Sequence, residues 1–466
     1  MLARLSRMVR PFLPRPLAER VDAALASRSA DELSTGGTAL SAFALRVAGA
    51  GIAYLQQILL ARWMGAFDYG VFVVIYVWLT VLGQIGNFGF SSSMIRFVPE
   101  FRARGDLARM RGVMLAGRLV AFGGATVIAA AGAAAVLAVP DLVAEPYVIP
   151  VVLGAACLPL FCLTEVQDGI ARAFAWSSLA FGPTYIWRPL GVMLAMGCAH
   201  ALAFPMTAPT ACAATIVATW ATAAIQFAAL HRRTAPMVAA HRPAFDLGNW
   251  FRVSLPILLS DGFYMMLTSI DVIVVARFAP PEEVAVYYAA TKTLALVHFV
   301  YYAVRAATGP RFSHHFHAGD HAALAALVRT SVRWAFWPSV AVSIVVLALG
   351  EFLLSMFGSD FRGGSGVLTV LVFGLLARAS VGPMETLLTM AGHQRVVAAI
   401  FGTAFAANLA LNLALVPLWG LYGAAAGTAL ALVLEAVLVI ATVRARFGFN
   451  PFVFTLARGG ETPAAS

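Results

Sequence analysis

Lysine is nearly missing from this chain: Lys292 stands alone beside 31 arginines in 466 residues. Charged residues together make up 12% of the sequence, about half the roughly 25% of an ordinary soluble domain. No stretch has the composition of a soluble catalytic domain. No glycine-rich phosphate-binding loop is present, which excludes ATP hydrolysis by this chain. The four cysteines, Cys157, Cys162, Cys198 and Cys212, lie in apolar segments without metal-ligand spacing and read as small hydrophobes. His314, His315, His317 and His321 have no carboxylate partners at a recognisable spacing, so they read as a solvated surface. Neither a metal nor a cofactor is expected. No cleavable leader is expected either: residues 1–35 mix Arg4, Arg7, Arg10, Arg15, Arg20 and Arg28 with Pro11, Pro14 and Pro16 and have no sustained apolar core.

What is abundant is apolar. Hydrophobic residues make up 61% of the chain and mean hydropathy is +0.84. Runs of about 20 apolar residues, the length of a bilayer-crossing helix, recur almost throughout. The chain is therefore read as an integral membrane protein. Its spans are placed at 38–60, 70–93, 112–138, 147–171, 180–199, 208–230, 252–278, 284–306, 330–350, 366–391, 396–417 and 421–443. The formal charge of +10 would suit nucleic acid if it clustered on a soluble face, but the bases lie mostly between the spans and no nucleic-acid partner is expected. Only Arg62, Arg277 and Arg362 fall in the loops of one side, while the other side takes nearly all the rest. Short basic loops stay in the cytoplasm, so both termini are placed there. Leu2, Leu5, Val9, Leu13 and Leu17, set among the first arginines, are read either as an interfacial segment against anionic lipid or as a disordered basic tail.

The two halves repeat. "ARWMGAFDYGVF" after span 1 is echoed by "ARFAPPEEVAVYY" after span 7, with Arg62 and Asp68 matching Arg277 and Glu283. "RFVPEFRARGD", Arg96 to Asp106, is echoed by "RFSHHFHAGD", Arg311 to Asp320. Six spans separate the copies, an even number, so the repeat is parallel, about an axis along the membrane normal. The expected organisation is a basic segment 1–37, a first lobe 38–230, a linker 231–251, a second lobe 252–445 and a tail 446–466.

Four stretches then carry a resemblance. They are "LLARWMGAFDYGVF", "FGFSSSMIRFVPEFRARGD", "SLPILLSDGFYMMLTSIDVIVVARF" and "NLALNLALVPLWGLYGAAAGTAL", the last an Asn-rich span, a Pro-Gly turn and a small-residue span. In order and spacing they resemble the Wzx-type polysaccharide flippases of the multidrug/oligosaccharidyl-lipid/polysaccharide exporter superfamily, over nearly all of 38–445. The resemblance implies an all-α, MATE-like membrane protein of about 12 transmembrane helices in two six-helix lobes. It implies a monomer in the bacterial inner membrane that moves an undecaprenyl-diphosphate-linked oligosaccharide between leaflets by alternating access. Membrane lipids and a glycan polymerase are the further partners it suggests. Two alternatives stay open: an exporter of small cationic or amphipathic compounds, and a peptidoglycan-precursor flippase, whose two extra helices are not found here. A glycan polymerase or ligase would need a large outer loop bearing Arg or His. The outer loops are short and poor in both, so the chain is not expected to be an enzyme.

Ionisable residues inside spans cost several kcal/mol if they face lipid, so they should face the protein interior. Arg46, Arg188, Lys292 and Arg378 are the candidate substrate-binding bases, since guanidinium in a low-dielectric cleft suits a diphosphate. Asp261, Asp271, Glu165 and Asp168 are the candidate coupling or ion-pair acids. The repeat aligns Arg46 with Asp261 and Gln56 with Asp271, so Arg46 and Asp261 can pair across the lobes. Asp271 and Lys292 each lie roughly 11–12 Å from the same turn, level enough for a second pair. Arg118 is nearer a span end. Tyr287, Tyr288, Tyr301 and Tyr302 read as interfacial aromatics, with sugar stacking as the other reading.

Overall fold

The computed structural model describes residues 30–455 apart from Pro140, with side chains from residue 45 onward. Residues 1–29 of the expected interfacial segment and 456–466 of the expected tail lie outside the described residues. Within the described residues every regular element is a helix. Helices α1 and α2 are the two limbs of Ala30–Gly86, which meet at Gly65, and α3 is Phe90–Ala103. They are followed by α4 (Leu107–Ala138), α5 (Glu145–Ala173), α6 (Ser177–Gly182), α7 (Arg188–Ala201) and α8 (Ala208–Val238). The second half comprises α9 (Leu247–Leu267), α10 (Ile270–Phe278), α11 (Pro281–His317), α12 (His321–Ala348), α13 (Gly350–Ser355), α14 (Ser365–Ala379) and α15 (Met384–Met390). The last two, α16 and α17, are the limbs of Gln394–Phe447, which meet at Gly420.

Eight helical stretches are long and apolar enough to cross a membrane, nine with the bent α9–α10 pair. Two of the eight are hairpins that each supply two limbs. Their turns need a positive φ that glycine reaches without strain: 76° at Gly65 and 56° at Gly420. Tyr69 donates to Gln57 Oε1 at 3.0 Å across the first hairpin. In the second, a Cβ at Gly423 would overlap the Leu415 carbonyl, so the small residues of this span let the two limbs touch. The stretch 177–201 is helical throughout, with a π-helical turn inside it, and the helix count among the described residues is compatible with the expected twelve.

Several spans are longer than hydropathy suggested, and three are broken. The α2–α3 crossing breaks at Asn87–Gly89, where the Asn87 side chain accepts from Gly89 N at 2.8 Å and donates to Gly83 O at 3.2 Å. The α9–α10 crossing bends by 47°. The α14–α15 crossing opens before Pro383, with Gly382 at φ 62°. There the chain end returns as a strap: Val453 N donates to the freed Ser380 carbonyl at 3.0 Å, and the Phe454 ring meets Phe336 at 5.5 Å. Between α6 and α7 lies a π-helical turn, Pro183–Trp187. Pro183 has no N–H to offer Leu179 O, and Gln226 Nε2 occupies that carbonyl instead at 3.0 Å. The expected linker is helical at both ends, because α8 runs on to Val238 and α9 starts at Leu247.

The repeated motifs end in the same turn. Gly105 and Gly319 both have φ 69°, and Asp106 and Asp320 each cap the next helix by accepting a backbone N–H, from Arg109 at 3.0 Å and Ala323 at 2.9 Å. This end of the bundle carries most arginines and is called the basic end; the other is the Gly65 end. At the Gly65 end one apolar cluster draws on both halves and includes Tyr69, Phe72, Tyr287, Tyr288, Phe357 and Phe361. Across this seam Arg62 Nε donates to Met356 O at 2.6 Å and Tyr54 meets Thr293 Oγ1 at 3.1 Å. Tyr287 and Tyr288 are thus buried at 0% and 3% exposure, not interfacial as expected. Toward the basic end α9 lies on α3, with Ser254 Oγ donating to Ser93 Oγ at 2.8 Å and Phe251 edge-on to Phe90 at 5.4 Å.

The seam depends on a close approach of α2 and α11 at Gly70, where a Cβ would overlap the Pro281 carbonyl. Gly70→Ala is expected to destabilise by about 1–3 kcal/mol through overpacking. It should also expose a cysteine placed at Tyr69, fully buried in the parent, to a water-soluble maleimide. Unchanged labelling would show that the seam does not need this approach.

Candidate functional site

Between the halves, on the basic side of the seam, charged and aromatic residues meet. From the first half, α1 contributes Arg46, whose exposed guanidinium lies 4.5 Å from the Phe181 ring centre. Helix α5 adds Glu165 and Arg172, both half-buried. From the second half, α9 brings Asp261, which accepts from Ser92 Oγ at 2.7 Å. Helix α11 brings Lys292, with Nζ 4.5 Å from the Tyr288 ring, and then Tyr302 and Arg305. The charges of Arg172 and Arg305, one from each half, both reach Asp261. Those of Arg46, Glu165 and Arg172 all reach Tyr185. Arg46, Glu165, Arg172, Asp261 and Arg305 therefore draw together in a cleft between the halves, whereas Lys292 lies apart from them at the seam, beside Tyr76 and Tyr288.

Base outweighs acid there. Among the described residues Arg46, Arg172 and Lys292 have no carboxylate within ion-pair distance, and Arg305 reaches Glu385 only at 3.9 Å. The two expected cross-pairs are not formed. Arg46 stacks on Phe181 while Asp261 is held by Ser92. Asp271 accepts from Tyr287 Oη at 2.7 Å, from its neighbour Val272 N at 2.9 Å and from Thr428 Oγ1 at 3.3 Å. Depth alone suggested that Lys292 would meet it. Tyr287 and Lys292, however, are five residues apart on α11, roughly 140° around the helix. The face that reaches Asp271 carries the tyrosine.

The remaining expected residues lie inside one half or the other. Arg188 is 7% exposed, with its guanidinium 4.4 Å from the Phe161 ring centre. Asp168 is buried and accepts from Thr184 Oγ1 and Gln226 Nε2, both at 2.6 Å, while Glu165, three residues earlier on α5, is half-buried. Arg378 is paired with Glu435 at 3.2 Å and sits between the rings of Tyr264 and Tyr301. Next to it, Glu385 accepts from Tyr301 Oη at 2.7 Å. Asp271 belongs to a run of oxygens with Thr428, Asn408 and Asn412. Such oxygens are of the kind hard cations take, although here Thr428 and Asn412 donate within the group and Asn408 donates to Leu267 O at 2.9 Å.

Sequence reasoning overlooked Arg172, Arg305 and Tyr185. Hydropathy leaves Arg172 just past the span 147–171 and Arg305 at the last turn of the span 284–306, yet α5 runs to Ala173 and α11 to His317, carrying both into helices at the cleft. Tyr185 gave no charge signal; its only mark was the pair Pro183 and Pro189 on either side.

The comparisons with known proteins agree on the architecture. Residues 38–316 match the family described as Polysaccharide biosynthesis protein, and residues 256–414 match the MatE family. An inward-facing multidrug resistance MATE family transporter of the MOP superfamily superposes with a TM-score of 0.69 at 15% identity, over 90% of this chain and 96% of that one. The lipid II flippase MurJ, in an inward closed conformation, gives 0.64 at 12% identity over 87% of both chains. A MOP superfamily transporter from Pyrococcus furiosus, described as having a binding pocket of reverse polarity, gives 0.63 at 14% identity over 87% of this chain and 95% of that one. No curated protein matches in sequence. At these identities the likeness is one of fold: a multi-pass membrane protein of the MATE type.

Proposed function

The chain belongs to the polysaccharide biosynthesis protein family of MOP superfamily transporters, and from that premise we propose that it flips a lipid-linked oligosaccharide carried on a polyprenyl diphosphate. The family match and fold support transport rather than catalysis. The observation that carries the substrate class is the surplus of unpaired base between the halves, where Arg46 and Arg172 have no ion-pair partner among the described residues. Phosphate oxygens accept charge-assisted hydrogen bonds from such groups, and the low dielectric of a cleft within the membrane strengthens the attraction. An exporter of cationic compounds would call for the opposite balance. A bacterial inner-membrane location with both termini in the cytoplasm fits the arginine-rich end of the bundle. The substrate would then enter from that end and leave past the Gly65 seam when the seam opens.

The test is reconstitution. Full-length protein in proteoliposomes is expected to move a fluorescent polyprenyl-diphosphate oligosaccharide between leaflets, read by a membrane-impermeant quencher, above the rate of protein-free vesicles. Vesicles that translocate a cationic dye but leave the glycolipid in place would sink this reading.

A further inference from the structure

Tyr185 takes no part in the charge set of the cleft, yet three features fix its position. The π-helical turn Pro183–Trp187 allows consecutive residues to serve different partners, and such turns recur at functional sites. Thr184 points inward and donates to Asp168 at 2.6 Å, whereas Tyr185 is 37% exposed and lies within reach of the charges of Arg46, Glu165 and Arg172. Helix α1 closes on it at Gly49, where a Cβ would crowd the Tyr185 Cβ and carbonyl. Finally, the Tyr185 hydroxyl has no hydrogen-bond partner among the described residues. The hydroxyls of Tyr54, Tyr69, Tyr264, Tyr287, Tyr301 and Tyr302 each have one, while those of Tyr76, Tyr147, Tyr288 and Tyr422, which lie away from the charges around Tyr185, do not.

The surroundings narrow what such a group can recognise. Phe181, one turn earlier, lies 6.2 Å from the Tyr185 ring and carries the Arg46 guanidinium on its face. In the second half Tyr302, 39% exposed, is bonded to Tyr264 at 3.0 Å and supplies another aromatic wall beside Arg305. A lipid tail has no reason to lie among Arg46, Glu165 and Arg172, and a bare diphosphate gains nothing from an aromatic face. A pyranose presents C–H groups on one face and hydroxyls at its rim, and so matches a ring with an apolar body and a free polar tip.

We propose that Tyr185 reads the sugar attached to the diphosphate: its ring lies against the pyranose face and its hydroxyl bonds a sugar hydroxyl, while Arg46 holds the phosphate. This rests on the transport reading above and adds the residue that distinguishes a glycan-bearing lipid from its bare carrier.

The experiment measures binding of two probes, polyprenyl diphosphate and polyprenyl-diphosphate disaccharide, to the full chain in nanodiscs. Tyr185→Ala is expected to weaken the disaccharide lipid about tenfold while shifting the bare lipid less than twofold. Tyr185→Phe, which keeps the ring and fold, should weaken the disaccharide lipid about threefold. Gly49→Ala, which displaces the ring, should lower the same ratio. Equal losses on both lipids, or no loss on either, would overturn the role of Tyr185 and leave the transport reading intact. A parent protein that binds neither lipid would overturn the transport reading itself.

Discussion

Arg378→Met is expected to leave little folded protein, and the double variant Arg378→Met/Glu435→Leu to bring it back. Both side chains of this pair are 3% exposed and the charged atoms are 3.2 Å apart, deep in the second half. Glu435 Oε2 and Arg378 Nη2 have no hydrogen-bond partner, so the pair is held by charge attraction and by the Tyr264 and Tyr301 rings more than by a complete hydrogen-bond set. Removing one member strands the other charge in a medium that cannot solvate it. That costs roughly 3–5 kcal/mol, a large part of the about 5–15 kcal/mol by which a folded protein is stable. Replacing both with apolar groups removes the desolvation cost along with the attraction, which is why such exchanges are often neutral. Thermal unfolding of the two single variants and the double variant in detergent decides this, and a single variant as stable as the parent would contradict it. Glycolipid transport by the folded double variant adds a second answer: retained transport means that Arg378 supports the fold and does not touch substrate.

What could be read from the sequence follows from what a bilayer enforces. A span needs about 20 apolar residues whatever surrounds it, so the all-helical membrane architecture was visible. So was the second hairpin, because Gly420 interrupts an apolar run with no charged loop between, whereas the first turn, at Gly65, carries Arg62 and Asp68. Breaks inside spans were partly visible. Pro183 and Pro189 flank the π-helical turn, and Pro383 marks the opening between α14 and α15, but the bend at Thr268–Ser269 has no proline. Pro256, conversely, sits inside α9 with no break at all.

Rotation and helix length were what could not be read. The levels of Asp271 and Lys292 follow from counting residues to a turn, but their facing depends on how α10 and α11 are rolled against α17, which is a matter of packing. The reach of Arg172 and Arg305 was lost for a related reason. Hydropathy marks where hydrocarbon ends, whereas a helix ends where its backbone finds a cap, and α11 continues to His317.

The second large effect is expected at Arg46. Arg46→Glu should weaken binding of polyprenyl diphosphate about a hundredfold. One charge-assisted hydrogen bond is worth roughly 1.5–3 kcal/mol, or about 10- to 150-fold at 1.4 kcal/mol per decade, and reversal adds repulsion to the loss. Folding should be unaffected, because Arg46 is exposed and its removal orphans no carboxylate; this is the opposite of Arg378. Arg46→Lys should fall between, keeping the charge but losing the planar fork that grips two oxygens. Asp261→Asn should tighten binding, since it removes the acid that competes with phosphate for the bases around it. High salt should weaken the parent's binding and flatten the difference from Arg46→Glu. Titration of each variant with the bare lipid at two ionic strengths reads all of these. If Arg46→Glu bound the lipid as tightly as the parent, the diphosphate would have to be held elsewhere. If the same variant instead gained uptake of a cationic dye, the cleft would belong to an exporter whose specificity is set by the sign of a few charges.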